Sequence, residues 1–304
     1  MKADQARGAV PSGAAPSRGR LPGEPLGSPP VGGADLHAHT TASDGTLTPP
    51  ELVAAALAAG LQALGICDHD SVDGVAPARS AAWGSGLEVV PGVEINTSLG
   101  ELEVHILGYY CRPGDPELTA LLARLRDERQ NRVVRMVERL RSAGYPVPLE
   151  RVRELAGEGA IGRPHVARAL VEAGHAASER EAFGDLLLPG RPGYVERYKL
   201  SPLEAVRSVL AAGGVPVLAH PGLVGRDDLV GELAAGGLRG LEVHHPEHNE
   251  EQARHYLAMA ERFGLLVTGG SDYHGPGHGH ESDLGSVRVP FDTVERLKAA
   301  AGAA

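Results

Sequence analysis

The chain of 304 residues contains 42% hydrophobic and 22% charged residues. This is ordinary globular usage, and it excludes a wholly disordered chain, a collagen-like fibre and a disulfide scaffold. A net charge of −10 and only 4% aromatic residues disfavour a stable complex with a long nucleic acid. A protein surface that binds a long nucleic acid needs cationic groups for the phosphates and aromatic rings that stack on the bases. Two cysteines without a CxxC spacing, no signal-peptide pattern and no run of about 18 apolar residues predict a cytoplasmic protein with no membrane segment.

The beginning of the chain differs from the rest. Residues 1–33 contain six Pro and seven Gly and predict a disordered tail. A strand is then expected at 34–37, and Thr48 caps a helix at 49–60 that begins with proline. The elements predicted next are a strand at 63–67, a helix at 74–85, strands at 87–95 and 103–110 joined by a turn around 96–100, strands at 215–219, 240–244, 265–269 and 286–289, and a C-terminal helix. Strands that alternate with helices indicate βα units, a parallel sheet and, by their number, a closed α/β barrel.

Residues 115–200 interrupt this alternation with helical sequence. Asp115 and Pro116 begin an amphipathic pattern that predicts one long helix to about Ala143, and shorter helical patterns cover 149–155 and 164–173. We therefore expect a barrel built from 34–114 and 201–304, with 115–200 as a helical insertion that contributes substrate contacts. The arginines of the long helix either form a solvated face or, at Arg129, Arg132 or Arg135, reach a second phosphate.

Imidazole and carboxylate side chains follow nearly every candidate strand. They stand in Asp35-Leu36-His37-Ala38-His39, Asp68-His69-Asp70, Gly92-Val93-Glu94, His105, Ala219-His220-Pro221, Leu241-Glu242-Val243-His244 and Ser271-Asp272-Tyr273-His274. The C-terminal strand ends of a barrel form one face, where active sites lie, so these residues are expected to converge. Mixed nitrogen and oxygen donors suit Mn, Fe or Zn. A metal site is therefore predicted.

Several further residues allow two interpretations. Asp44 precedes a glycine, which is typical of a turn, but its position after the HxH motif also suits a ligand. His245 and His248 follow the strand at 240–244, and we expect them at the rim, in contact with substrate. His278 and His280 belong either to a surface loop or to a lid. The chain lacks GxxxxGK[ST], GxSxG and GxGxxG motifs, which disfavours P-loop, serine-hydrolase and dinucleotide-binding chemistry.

Together the strand-end motifs, with Ser43-Asp44-Gly45, resemble the PHP (polymerase and histidinol phosphatase) family, in order from about residue 34 to 289. The resemblance implies an α/β fold, a distorted (β/α)7 TIM-like barrel, with three divalent ions (Mn, Fe or Zn) at its C-terminal face. The implied ligands are His37, His39, Glu94 and Asp272 for one metal, Glu94, His105 and His220 for a second, and Asp44, His69 and His274 for the third. Through these metals Glu94, Asp272 and His274 are implied to be catalytic.

A motif in the helical insertion extends the resemblance to one subgroup of the family. Gly162-Arg163-Pro164-His165 is similar to a motif of the 3′,5′-nucleoside bisphosphate phosphatases and related 5′→3′ exoribonucleases. The similarity implies that Arg163 and His165 approach the substrate phosphate, and a helix that begins at Pro164 would itself favour an anion. Histidinol phosphatases commonly carry His where this chain has Asp44, so Asp44 argues against that activity.

The expected function is that of a metal-dependent phosphoesterase. A hydroxide activated by the metals releases the 3′-phosphate of a nucleoside 3′,5′-bisphosphate or cleaves the 5′ end of a short RNA. The partner is thus a small phosphorylated substrate. The alternatives are a histidinol-phosphate-type phosphomonoesterase, an amidohydrolase-type metal hydrolase and a non-catalytic PHP module. The amidohydrolase alternative lacks an obvious bridging lysine, because the chain contains only Lys2, Lys199 and Lys298.

Overall fold

The computed structural model describes residues 32–100, 102–157, 161–196, 198–276 and 282–302. Residues 1–31 of the predicted tail, and also His278 and His280, lie outside the described residues. Gly32 and Gly33 are already tied to the fold, since their carbonyl groups accept hydrogen bonds from the backbone N–H of Gln62 at 2.8 and 3.0 Å.

The fold is mixed α/β. Its strands are β1 Ala34–Ala38, β2 Ala63–Ile66, β3 Glu88–Pro91, β4 Glu94–Leu99, β5 Leu102–Tyr109, β6 Val215–Leu218, β7 Gly240–His244 and β8 Leu266–Gly269. Its helices are α1 Pro49–Ala58, α2 Val75–Ala82, α3 Pro116–Ser142, α4 Leu149–Ala156, α5 Arg163–Glu172, α6 Glu179–Ala182, a π-helical turn Phe183–Leu187, α7 Pro202–Ala211, α8 Pro221–Val224, α9 Asp227–Ala235, α10 Glu250–Phe263 and α11 Asp292–Gly302. None of these helices has the length and hydropathy of a bilayer-spanning segment.

The strands form two sheets, with the order β1-β2-β3 in one and β4-β5-β6-β7-β8 in the other. β5 is antiparallel to both of its neighbours, and the other pairs are parallel. β4 and β5 form the hairpin expected from the turn between these two strands, and β5 therefore runs against an otherwise parallel arrangement. Parallel bridges at His69–Glu94 and Ala38–Tyr273 link the two sheets where the strands end.

Three predicted elements differ from the sequence-based expectations. The strand predicted at 87–95 is interrupted after Pro91 and resumes at Glu94. The turn predicted around 96–100 is shorter than expected and lies at Gly100, because Thr97 and Ser98 pair with Val104 and Glu103 in the β4–β5 ladder. Cross-strand pairing thus overrides the turn preference of this polar segment. The strand predicted at 286–289 is reduced to one bridge between Val289 and Ala34.

Helix α3 joins two hydrophobic clusters, and its predicted apolar stripe is buried. The Asp115 side chain accepts a hydrogen bond from the backbone N–H of Leu118 at 3.1 Å and caps the helix. Leu118, Leu122 and Leu125 pack in the cluster of β4–β7 and α7. The C-terminal half, from Val133 to Leu140, packs instead against α4, α5 and the π-helical turn. One face of α3 therefore places the helices of 149–187 beside the strand ends.

Candidate metal centre

Four donor atoms from β1, β4 and the segment after β8 converge on one point. Nε2 of His37 lies 3.2 Å from Nε2 of His39, and both nitrogens lie between 3.1 and 3.4 Å from Oε2 of Glu94 and Oδ1 of Asp272. Both oxygens are buried and accept no hydrogen bond from the described residues. These five distances match the edges of a tetrahedron of about 3.3 Å, whose centre lies about 2.0 Å from each corner, the length of a Zn–N or Zn–O bond. All four donors lie within 4.8 Å of one another. The four donors therefore fit a divalent cation.

Glu94 also reaches a second set of imidazoles. Its Oε1 lies 2.7 Å from Nδ1 of His105 and 3.2 Å from Nε2 of His220, while its Oε2 lies 3.0 Å from Nδ1 of His69. The donors of His69, Glu94 and His105 lie within 4.8 Å of one another. The buried carboxylate of Glu94 thus has imidazole donors beside both of its oxygens.

A third group surrounds Asp44. The donors of His39, Asp44, His69 and His274 lie within 4.8 Å of one another, and Oδ1 of Asp44 lies 3.5 Å from Nε2 of His274. Nδ1 of His274 donates to the backbone carbonyl of Asp272 at 2.8 Å, which leaves a lone pair on Nε2 for an electrophile. The sequence reasoning did not place His39 in this group.

The backbone is strained where the strand ends turn into the site. Four non-glycine residues of the described chain have positive φ, and three of them are Asp70, His220 and Asp272, at 51°, 24° and 50°. Such conformations cost of order 1–3 kcal/mol each and concentrate at functional sites. The strain is consistent with a site whose donor positions are fixed by the surrounding fold.

Three buried carboxylates support the donors, and the sequence reasoning missed these roles. Glu242 lies 3.0 Å from Nδ1 of His37 and accepts the backbone N–H of His220 at 2.8 Å. Asp35 accepts the backbone N–H and the hydroxyl of Ser271 at 2.9 and 2.6 Å. Asp68 accepts the hydroxyl of Ser43 at 2.7 Å. All three belong to the strand motifs singled out in the sequence, which was the available signal, but sequence position does not separate a ligand from its support.

Burial and the neighbouring carboxylates shift the pKa values of the histidines in this cluster in opposite directions. Burial lowers the pKa of His39, but the carboxylates of Asp272 and Glu94 outweigh it and raise the pKa to about 10. His105 behaves in the same way beside Glu94 and Glu103, and its pKa is also raised to about 10. His69 is different, because burial dominates and lowers its pKa to about 3. The imidazole of His69 is therefore neutral and able to donate a lone pair.

The GRPH motif faces the same cluster from the insertion. Arg163 and Pro164 begin α5, and the backbone N–H of Gly162 donates to Nδ1 of His165 at 3.1 Å. Arg163 donates to the carboxylate of Glu103 at 3.2 Å. A cavity of about 190 Å³ extends from Asp44 and His69 to a wall that includes Arg129, Arg163, Phe183 and Tyr198. The predicted phosphate-binding arginine thus lines a cavity that opens onto predicted metal ligands.

The two predicted rim histidines differ. Nδ1 of His245 accepts the backbone N–H of Glu247 at 3.2 Å, so its proton is on Nε2, which lies 3.5 Å from Oδ2 of Asp272. His248 instead donates from Nδ1 to the carbonyl of Val243 at 2.9 Å and accepts at Nε2 from the N–H of Gly222 at 3.0 Å. Both ring nitrogens of His248 are engaged by the backbone, so the substrate contact predicted for it does not fit this arrangement.

Comparison with known proteins gives matches over most of the chain. The PHP domain matches residues 35–172. A 3′,5′-nucleoside bisphosphate phosphatase of Chromobacterium violaceum is 36% identical over 268 residues, which cover 84% of this chain and 94% of the relative. A 5′-3′ exoribonuclease of Escherichia coli is 37% identical over 80% of this chain and 85% of its own. The crystal structure of a Bifidobacterium adolescentis protein that is assigned as a metal-dependent phosphoesterase superposes with a TM-score of 0.80 and 37% identity, over 90% of this chain and 97% of the other.

Proposed function

The chain belongs to the PHP family, and from this premise we propose that it is a metal-dependent phosphoesterase that hydrolyses a phosphate ester of a small nucleotide or of the 5′ end of a short RNA. The single observation that carries the proposal is the convergence of His37, His39, Glu94 and Asp272 on one cation-sized space. The described relatives, named as a nucleoside bisphosphate phosphatase and an exoribonuclease, support the class of substrate.

The fold assigned to this function is a distorted (β/α)7 TIM-like barrel. Residues 34–114 and 201–304 form the barrel, and 115–200 form a helical insertion. β3 and β4 count as one interrupted strand, and the bridges at His69–Glu94 and Ala38–Tyr273 support closure between the two sheets. The insertion brings Arg163 to the cavity beside the strand ends.

The proposed cofactors are three divalent ions of Mn, Fe or Zn. The proposed ligands are His37, His39, Asp44, His69, Glu94, His105, His220, Asp272 and His274. Such ions, when bound, lower the pKa of water to give a nucleophile and neutralise charge on phosphate oxygens. Glu94 would bridge two of these ions, and Glu242 and the carbonyl of Asp272 fix the tautomers of His37 and His274.

The same bond breaks in both candidate substrates. A nucleoside 3′,5′-bisphosphate and a 5′-phosphorylated RNA each present a nucleoside whose 3′ oxygen carries phosphorus. Hydrolysis adds the water oxygen to phosphorus, breaks the P–O3′ bond and transfers a proton to O3′. Arg163 and His165 orient the phosphate at the N-terminus of α5, and Phe183 and Tyr198 offer ring surfaces for the nucleoside in the same cavity. His245, whose Nε2 carries a proton beside Asp272, is the proposed proton donor.

The two alternative enzyme activities receive less support. Asp44 occupies a position that is commonly His in histidinol phosphatases. An amidohydrolase-type centre usually bridges two metals with a lysine, but Lys199 is exposed and paired with Glu196. The residue proposed for the bridging position is Glu94.

The test compares three substrates with Mn-loaded protein: adenosine 3′,5′-bisphosphate, a 5′-phosphorylated oligoribonucleotide and histidinol phosphate. We expect Glu94→Ala to lose bound metal and to lower phosphate release from the bisphosphate at least a hundredfold. Glu88→Ala is the matched control, because Glu88 lies at the start of β3 and pairs with Lys298. Glu94→Ala with full metal content and wild-type activity would contradict the mechanism.

A further inference from the structure

Glu103 of β5 lies between a proposed metal ligand and the arginine of the GRPH motif. Its Oε1 lies 3.1 Å from Nε2 of His105, and its Oε2 accepts a hydrogen bond from Nη2 of Arg163 at 3.2 Å. The two oxygens of one carboxylate therefore contact two different residues of the proposed site. His105 lies on the same strand as Glu103, whereas Arg163 begins α5 in the helical insertion.

The position of Glu103 beside the imidazole follows from the geometry of β5. Side chains two residues apart on a strand point to the same face of the sheet, so Glu103 stands next to His105. The ladder with β4 holds both residues, because Glu103 pairs with Ser98 and His105 pairs with Asn96. The carboxylate is thus placed by the strand, and the guanidinium of Arg163 reaches it from the start of a helix.

The contact with His105 bears on metal binding. Nδ1 of His105 lies 2.7 Å from Oε1 of Glu94, the carboxylate proposed to bridge two ions. When Nε2 of the ring donates its proton to Glu103, the lone pair on Nδ1 faces Glu94 and is available to a cation. Glu103 thus stands behind His105 as Glu242 stands behind His37.

The contact with Arg163 bears on phosphate binding. A guanidinium group has five N–H donors, and the hydrogen bond to Glu103 uses one of them. The other donors remain for an anion in the cavity that Arg163 and Glu103 both line. A guanidinium that is held before the ligand arrives loses less conformational freedom on binding, which favours affinity.

We infer that Glu103 is a positioning residue, which orients His105 toward a metal ion and Arg163 toward the substrate phosphate. The inference rests on the proposed function and adds to it a residue that couples the metal ligands to the phosphate site. The side chain of Glu103 is 39% exposed and that of Arg163 is 25% exposed. An ion pair with this exposure contributes little to folding stability, so removal of Glu103 should change ligand binding and leave the unfolding midpoint unchanged.

The test compares Glu103→Ala with the wild-type full chain in two titrations. Chelator competition gives the dissociation constant for Mn²⁺, and calorimetry at saturating Mn²⁺ gives the constant for inorganic phosphate. We expect Mn²⁺ binding to weaken about tenfold, as when a carboxylate behind a ligating imidazole is removed, and phosphate binding to weaken about fivefold through lost preorganisation. Glu172→Ala is the matched control, since Glu172 is also 39% exposed and pairs with an arginine, Arg151, at 2.7 Å. It should keep both constants.

The Arg163→Ala background separates the two contacts of Glu103. In that background Glu103→Ala should still weaken Mn²⁺ binding, but it should no longer weaken phosphate binding, because the residue through which it acts is gone. An equal effect of Glu103→Ala on phosphate binding with and without Arg163 would overturn the inference.

Other outcomes separate this inference from the proposed function. Wild-type constants for both ligands in the Glu103→Ala protein would overturn the inference alone, and so would weaker binding that is accompanied by a lower urea unfolding midpoint. A wild-type protein that binds Mn²⁺ but hydrolyses none of the three phosphate esters would overturn the proposed function, while the two titrations would still decide the role of Glu103. A wild-type protein that binds no Mn²⁺ would overturn both.

Discussion

Nδ1 of His37 lies 3.0 Å from Oε1 of Glu242, and both side chains are fully buried. The other oxygen of Glu242 accepts the backbone N–H of His220 at 2.8 Å. One carboxylate thus orients a ring at the end of β1 and also fixes the residue that follows β6. Because the hydrogen bond at Nδ1 leaves the lone pair on Nε2, Glu242 points the donor of His37 at Glu94 and Asp272.

We therefore expect Glu242→Ala to weaken metal binding by about 10- to 100-fold, which is the usual effect of removing a carboxylate behind a ligating imidazole. Metal content after dialysis against graded chelator measures this change. Glu88→Ala removes a carboxylate from the start of another strand, where it pairs with Lys298, and should retain metal as the wild type does. Equal metal affinity in the Glu242→Ala and Glu88→Ala proteins would show that Glu242 does not orient His37.

Metal binding is expected to release protons. Without metal, the net effect of burial and the neighbouring carboxylates raises the pKa of His39 and of His105 to about 10, so both rings carry a proton at pH 7. A cation must displace such protons, and its apparent affinity therefore falls as the pH is lowered. Calorimetry in two buffers of different ionisation enthalpy should give at least one proton released per protein at pH 7.

Histidine variants sharpen that measurement. His105→Gln should release fewer protons than the wild type. His255→Gln changes an exposed histidine that pairs with Asp227 on the surface, and it should release the same number. An absence of net proton release at pH 7 would contradict the assignment of these rings as protonated in the metal-free protein.

The sequence predicted which residues come together in the site better than it predicted the role of each residue. Parallel strands end on one side, so His37, Glu94 and Asp272 could be expected together from their positions alone. The same argument could not separate them from Asp35 and Glu242, because a carboxylate in these motifs becomes a ligand or a support according to its distance from the other donor atoms. That distance depends on loops whose positive φ angles, as at Asp272, the sequence pattern does not reveal.

The fold errors have a similar cause. The segment 96–100 contains residues typical of turns, but Thr97 and Ser98 are held in a ladder with Val104 and Glu103. Local preference is weak compared with pairing and burial. By contrast, the beginning of α3 was predictable, because Asp115 and Pro116 provide both a capping oxygen and a favourable first-turn residue.

Arg163→Ala is expected to raise KM for adenosine 3′,5′-bisphosphate at least tenfold, because a charge-assisted hydrogen bond to phosphate contributes about 1.5–3 kcal/mol. Arg163 lines the cavity beside Asp44 and His69 and is held there by Glu103. Arg168→Ala removes an exposed arginine from the same helix and should leave KM near the wild-type value. Equal KM values for the two variants would remove Arg163 from the phosphate site.

Gly270 is expected to be essential for stability because of where β8 ends. A Cβ atom at this position would lie closer than 3.0 Å to the backbone nitrogen and Cα of His37, and neither atom can move without displacing the end of β1. Gly270→Ala should therefore lower the free energy of unfolding by about 1–3 kcal/mol, the usual cost of overpacking, and should also weaken metal binding through His37.

Gly184→Ala is the matched control, since a Cβ there meets no atom within 4 Å, and it should change the stability by no more than about 0.5 kcal/mol. Urea unfolding of both metal-free variants gives the comparison, and equal unfolding midpoints would contradict the close approach of the segment after β8 to the first metal-binding strand.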